Sequence, residues 1–91
     1  MLQYNITVYG KVQGVWFRKY TQIKAQELHI CGIVKNQSNG TVYIEAVGNQ
    51  HNLTDFIQWL KTKGSPLSEI TNVTYTAIQP KQHYTEFDII T

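Results

Sequence analysis

The apolar residues of this chain switch between two spacings, a period of two and a period of about 3.6, and the order of the switches dictates which elements can form. Residues 4–9 alternate Tyr4, Ile6 and Val8 against Asn5, Thr7 and Tyr9, which predicts a strand ending at Gly10. From Phe17 the spacing widens. Phe17, Thr21, Ala25 and Leu28 share one helical face while Lys19, Gln22, Gln26 and His29 fall elsewhere, which predicts a helix of about three turns. Residues 31–37 and 41–47 return to strand-like composition, and Ser38-Asn39-Gly40 between them supplies an Asn-Gly pair suited to a tight hairpin. Leu53, Phe56, Ile57 and Leu60 form an i, i+3, i+4, i+7 stripe, which predicts a second helix with its body at residues 54–63, stopped by Gly64-Ser65-Pro66. Residues 70–79 are rich in Thr, Val and Tyr up to Pro80, and residues 84–90 give a last short alternating run.

The resulting order, βαββαβ plus a short edge strand, places the chain in the α+β class. Its expected form is a ferredoxin-like α/β sandwich, an antiparallel sheet with two helices on one face. Ninety-one residues without a composition break read as a single domain, residues 1–91. The 42% hydrophobic content gives such a unit enough apolar material to fold without staples. A net charge of +2, spread without runs, names no nucleic-acid or membrane partner. The lone Cys31 excludes an intrachain disulfide and a multi-Cys metal site. With no basic, apolar leader and no stretch approaching the roughly 20 residues of a membrane span, the expectation is a cytoplasmic protein, monomeric by default.

The fold hosts RNA binders, metal carriers, amino-acid sensors and enzymes alike, so function must come from a site. The segment Gly10-Lys11-Val12-Gln13-Gly14-Val15-Trp16-Phe17-Arg18 joins the first strand to the first helix and holds the only Arg of the chain. It has the parts of an oxyanion cradle: glycines that permit close backbone approach, amides free of strand pairing, and a helix start with unsatisfied N–H groups. No Ser, Thr, Asp or Asn stands just before the helix to cap it, so a bound phosphate could fill that role. Arg18 adds a planar fork able to take two phosphate oxygens. A surface arginine in an ordinary β-α loop fits these features too, and both readings stand at this level.

The same nine residues resemble the G-x-V-Q-G-V-x-F-R signature of the acylphosphatase family. Gly32-Ile33-Val34-Lys35-Asn36 resembles its second block, G-x-V-[KR]-N. The likeness continues through Asn39-Gly40-Thr41-Val42, Phe56, Trp59-Leu60, Gly64-Ser65-Pro66, Phe87 and Ile89, nearly the whole chain. The resemblance implies hydrolysis of acyl phosphates to a carboxylate and inorganic phosphate, with no metal and no cofactor. It implies that Arg18 and the amides of Gln13, Gly14, Val15, Trp16, Phe17 and Arg18 bind the phosphoryl group, and that Asn36 orients the attacking water. A carboxylate leaving group, with a conjugate-acid pKa of about 4, needs no general acid, which suits this set of residues. Two positions depart from the usual pattern: Trp16, where bacterial relatives often have Gly, and Gln37, where a small polar residue is common. Trp16 could narrow the pocket or pack on the sheet, and packing is the expectation, as large aromatics are mostly structural.

Other chemistry finds less support. His29, His51 and His83 lack ligand spacing and read as surface residues, and Cys31 reads as a small buried residue. Glu45, Glu69, Glu86, Asp55 and Asp88 form no pair at motif spacing. Among non-catalytic alternatives, an anion-binding or regulatory module of the same fold remains. An RNA-recognition module fits weakly, because residues 41–48 (TVYIEAVG) carry one aromatic and an acidic Glu45 where such a module needs aromatics. A metal carrier would need a C-x-x-C that is absent. Acylphosphatase-like domains also occur within hydrogenase-maturation carbamoyltransferases; this chain ends with the domain and is expected to stand alone.

Overall fold

The computed structural model describes residues 1–90, so Thr91, the last position of the expected 1–91 unit, lies outside the described residues. Its elements run β1 (Leu2–Lys11), α1 (Phe17–Glu27), β2 (Cys31–Asn36), β3 (Val42–Gly48), α2 (Gln50–Thr62), β4 (Glu69–Ile78) and β5 (Phe87–Ile90). The strands form one sheet in the order β4-β1-β3-β2-β5. Alternation decides its two faces. Tyr4, Ile6 and Val8 of β1 pair with Ala46, Ile44 and Val42 of β3, and all six are buried. The intervening Asn5, Thr7, Tyr43 and Glu45 are only half-buried on the opposite face.

Both helices cover the first face. Phe17, Thr21 and Ala25 of α1 and Leu53, Phe56, Ile57 and Leu60 of α2 are buried, the stripes the spacing predicts. Phe56 meets Phe87 edge-on at 6.2 Å, and Trp59 stacks near Phe17 at 6.4 Å, so α1, α2 and β5 share one aromatic cluster. Burying Phe17, which is 1% exposed, contributes about 2 to 3 kcal/mol and fixes where α1 begins. α2 starts four residues before its expected body. Asn49 caps it by accepting from Asn52 N at 2.8 Å, and Gln50, His51 and Asn52, being polar, do not extend the hydrophobic stripe that begins at Leu53.

The four longer strands are antiparallel as expected, but β5 pairs with β2 in parallel, which makes the sheet mixed. The cause is the connection at residues 79–86. It leaves β4 at one edge and must reach the far side of β2, four strand spacings or about 19 Å away. Eight residues reach about 26 Å when extended, enough to cross directly at that end of the sheet but not to travel its length as well. The crossing is moored to the half-open face. Lys81 N donates to Gln3 Oε1 (3.2 Å) and Tyr84 OH to Glu45 Oε1 (2.5 Å), and Glu86 O accepts from Gly32 N (2.8 Å). β5 then runs back in the direction of β2.

Candidate active site

Because β1 and β2 each pair antiparallel with β3, they run parallel to one another and end on the same side of the molecule. That topology brings the β1–α1 loop and Asn36 to one end of the sheet. The loop is shaped by its backbone. Gly10 (φ 125°) sits at a register shift between β1 and β4, where a Cβ would come within 2.0 Å of Glu69 O, so only glycine lets the strand bend away here. Gly14 (φ 73°) and Trp16 (φ 63°) are both left-handed, and such interruptions turn successive amides toward a common point.

Two side chains from elsewhere hold the loop. Gln13 Nε2 donates to Gln37 O and to Thr41 O, both at 2.8 Å, tying the loop to the β2–β3 turn one residue past Asn36. Ser65 Oγ, buried, donates to Val15 O at 2.9 Å and ties its other flank to the segment after α2. Fixed between them, the amides of residues 13 to 18 donate to no protein acceptor among the described residues. Trp16 is the N-cap of α1 and makes no side-chain capping bond, and the first turn carries no acidic residue. The positive end of the helix dipole therefore meets these amides with no protein anion from its own first turn.

A cleft of about 530 Å³ opens over this segment, lined by Val12, Gly14, Phe17, Arg18 and Ile89, with Trp16 and Lys19 at its border. Arg18 is half-buried in the first turn of α1, its backbone set by Phe17 in the core. The cleft lining does not include Gln13, Val15 or Asn36. Gln13 turns its side chain to the β2–β3 turn, Val15 is buried, and each can offer the cradle only its amide. Asn36 shares the helix-covered face with Val34, and its Oδ1 is buried without a hydrogen-bond partner among the described residues. The other such atom is Thr21 Oγ1 in α1, whose hydroxyl has its own helix backbone nearby. An amide oxygen has no such local recourse, and a buried acceptor left alone costs about 1 to 3 kcal/mol.

Trp16 does not pack on the sheet. It is 71% exposed, and a left-handed backbone directs its side chain outward, onto the border of the cleft. Residues that the sequence reading passed over also belong here. Ser65 and Thr41 hold the loop, and Ile89 closes the cleft from β5; only their place in the family-like blocks marked them. His29, His51 and His83 are exposed and Cys31 is half-buried and free. His51 lies 3.5 Å from Asp55 on the surface of α2. No helix among the described residues is long and apolar enough to cross a membrane.

Comparison with known proteins identifies the family. The Acylphosphatase family model matches residues 4–89. An acylphosphatase of Ligilactobacillus salivarius is 44% identical over 98% of both chains, and an acylphosphatase-1 of Xenopus laevis is 42% identical over 90% of this chain and 85% of its own. The crystal structure of an acylphosphatase from Bacillus subtilis superposes with a TM-score of 0.96 at 38% identity, all of each chain being covered. The chain belongs to the acylphosphatase family.

Proposed function

We propose that this acylphosphatase cleaves the carboxyl-phosphate bond of acyl phosphates by direct attack of water on a phosphoryl group held by Arg18 and the amides of residues 13 to 18. The observation that carries this reading is a loop moored on both flanks whose amides have no protein acceptor among the described residues, beside the one guanidinium of the chain. In phosphoryl transfer the charge spreads over the equatorial oxygens, and catalysis consists largely of holding those oxygens and aligning the nucleophile. The cradle does the first. Asn36 does the second, its side-chain amide orienting the water so that an oxygen lone pair faces phosphorus.

The water oxygen bonds to phosphorus, the bond from phosphorus to the carboxyl oxygen breaks, and its electron pair leaves on the carboxylate. The carboxylate departs unprotonated, its conjugate acid having a pKa of about 4, and the proton lost by water passes to a phosphate oxygen of the substrate. Carboxylate and inorganic phosphate are released. Arg18 and the amides already supply the charge compensation, so the step is expected to run without metal, cofactor or covalent intermediate. Residues 1–91 are read as one domain, working as a cytoplasmic monomer on a small-molecule substrate and not on nucleic acid or a membrane.

The decisive assay is hydrolysis of acetyl phosphate in the presence of a chelator. Arg18→Ala should lower kcat/KM by about 10²- to 10³-fold and weaken inhibition by inorganic phosphate, with an unchanged thermal transition. Normal turnover and phosphate affinity in Arg18→Ala, or a metal requirement in the wild type, would defeat the assignment.

A further inference from the structure

One peptide of the loop is held by a side chain that the proposed chemistry does not use. Ser65 is 1% exposed, and its hydroxyl donates to Val15 O at 2.9 Å. Its own carbonyl is fixed in turn, accepting from Ser68 N at 3.1 Å and from Ser68 Oγ at 2.8 Å. Gly64 before it has a left-handed φ of 56°, and a Cβ there would come within 2.6 Å of Ile70 Cδ1 and 3.2 Å of Phe17 Cε1. The segment after α2 is thus packed tightly against the first residue of α1, which gives the Ser65 hydroxyl a fixed base.

The carbonyl that Ser65 holds belongs to the same planar unit as Trp16 N–H. A trans peptide points its C=O and N–H to opposite sides, so with Val15 O turned to Ser65, Trp16 N–H faces away from it. That N–H has no protein acceptor among the described residues. The next peptide is tied down, because Trp16 O accepts from Tyr20 N at 3.1 Å at the start of α1. The Val15–Trp16 plane is the one left to turn. Trp16 has φ 63° and ψ 12°, close to the third residue of a type II turn, a place that favours glycine. Turning that plane over leads toward a φ of about −90°, as in a type I turn, which most residues adopt. The strain of a bulky left-handed residue pulls toward the turned-over form, and it is of the same order as one buried hydrogen bond.

We propose that Ser65 is a positioning residue of the phosphate site, a latch that holds the Val15–Trp16 peptide with its N–H presented to the phosphoryl group. Without the latch the plane turns over and Val15 O takes that place, where it repels a phosphate oxygen. The inference rests on the phosphate-binding reading above and adds to it the residue that keeps the loop's donors facing one way. It also accounts for the left-handed Trp16, whose strain the buried hydroxyl offsets.

The test is a double-mutant cycle. For the wild type, Ser65→Ala, Trp16→Gly and the double variant, the inhibition constant of inorganic phosphate is measured together with kcat and KM for acetyl phosphate and the thermal transition. Ser65→Ala should raise the phosphate inhibition constant about 10-fold when Trp16 is present. In the Trp16→Gly background the same change should cost only about twofold, because glycine holds a left-handed φ without strain. A role confined to packing would lower the thermal transition and leave phosphate affinity unchanged, and that result overturns the proposal. Equal losses of affinity in both backgrounds overturn it too. A second measurement needs the wild type alone: the backbone amide resonance of Trp16 should shift on titration with inorganic phosphate. A Trp16 amide that does not respond while phosphate binds defeats the latch. A wild type whose Trp16 amide responds to phosphate but which leaves acetyl phosphate intact fails in a different way: it removes the hydrolytic reading and leaves the latch standing.

Discussion

The two helices begin at opposite ends of the sheet, and their N-termini are treated in opposite ways. α2 starts at the end crossed by residues 79–86, where Asn49 caps it from the chain's own side-chain inventory. Nearby on the half-open face, the Glu45 carboxylate accepts from Tyr43 OH at 2.8 Å, Tyr84 OH at 2.5 Å and Gln3 Nε2 at 3.4 Å. α1 starts at the other end, the end where β2 brings Asn36, with a left-handed Trp16 and no capping bond; among the described residues its first amides have no protein acceptor and Asn36 Oδ1 has no partner. Polar groups satisfied within the chain stabilise the fold; those left over are available to a substrate. The difference teaches which end of a small sandwich is architecture and which is chemistry.

The sharpest way to break this division is to remove one polar group from each end. Asn36→Ala should lower acetyl phosphate turnover by about 10²- to 10³-fold. Its stability to urea should stay level or rise by about 1 kcal/mol, because a buried acceptor without a partner is deleted. Glu45→Ala should do the reverse: a loss of about 2 to 3 kcal/mol as two phenols lose their acceptor and the Gln3 amide keeps only Asn5, with kcat near wild type while the protein remains folded. If folded Glu45→Ala lost turnover as severely as Asn36→Ala, the two ends could not be assigned separate roles.

Gln13 lies on the boundary between the two kinds of group, since its backbone amide belongs to the proposed cradle while its side-chain Nε2 moors the loop. Gln13→Ala deletes the two bonds to Gln37 O and Thr41 O and should cost about 1 to 2 kcal/mol of stability. Turnover should fall about tenfold, because the cradle loses its fixed distance from Asn36 while every phosphate-binding amide remains. Phosphate inhibition and kcat measured side by side decide it: a fall in kcat with little change in phosphate affinity marks a positioning role.

Much of this was legible in the chain because local physics wrote it there. The switches of hydrophobic period place every helix and strand, and the missing cap before Phe17 together with a single Arg singles out the segment proposed to hold the phosphoryl group. What the pattern does not carry is tertiary. The contact of Gln13 with residues 24 and 28 positions away leaves no local trace, so its side chain passes for a bystander. Tyr84 looks like part of an alternating strand but belongs to the crossing segment, its hydroxyl fixed on Glu45, and the direction of β5 follows from that crossing. Trp16 misleads for another reason. An aromatic ring predicts burial through its hydrophobicity, whereas here a left-handed backbone overrides that preference and turns the ring toward solvent.

Tyr84 offers the finest test of the architectural end, through pH. Burial first, then its hydrogen bond to Glu45 and the carboxylate's charge, push its phenol from 10.0 up to about 12. Tyr43, buried and bonded to the same carboxylate, is raised as well. A phenol whose folded pKa exceeds its unfolded value favours the folded state in its neutral form. Its contribution is complete below pH 10 and is lost as the pH rises from 10 toward about 12. The unfolding free energy of the wild type, from urea titrations, should therefore fall across that window, and that of Tyr84→Phe should start lower by about 1 kcal/mol and fall less steeply. The two curves converge if the Glu45 network stabilises this end through a protonated Tyr84, and parallel curves would show that the hydroxyl is held there by the crossing segment without contributing to stability.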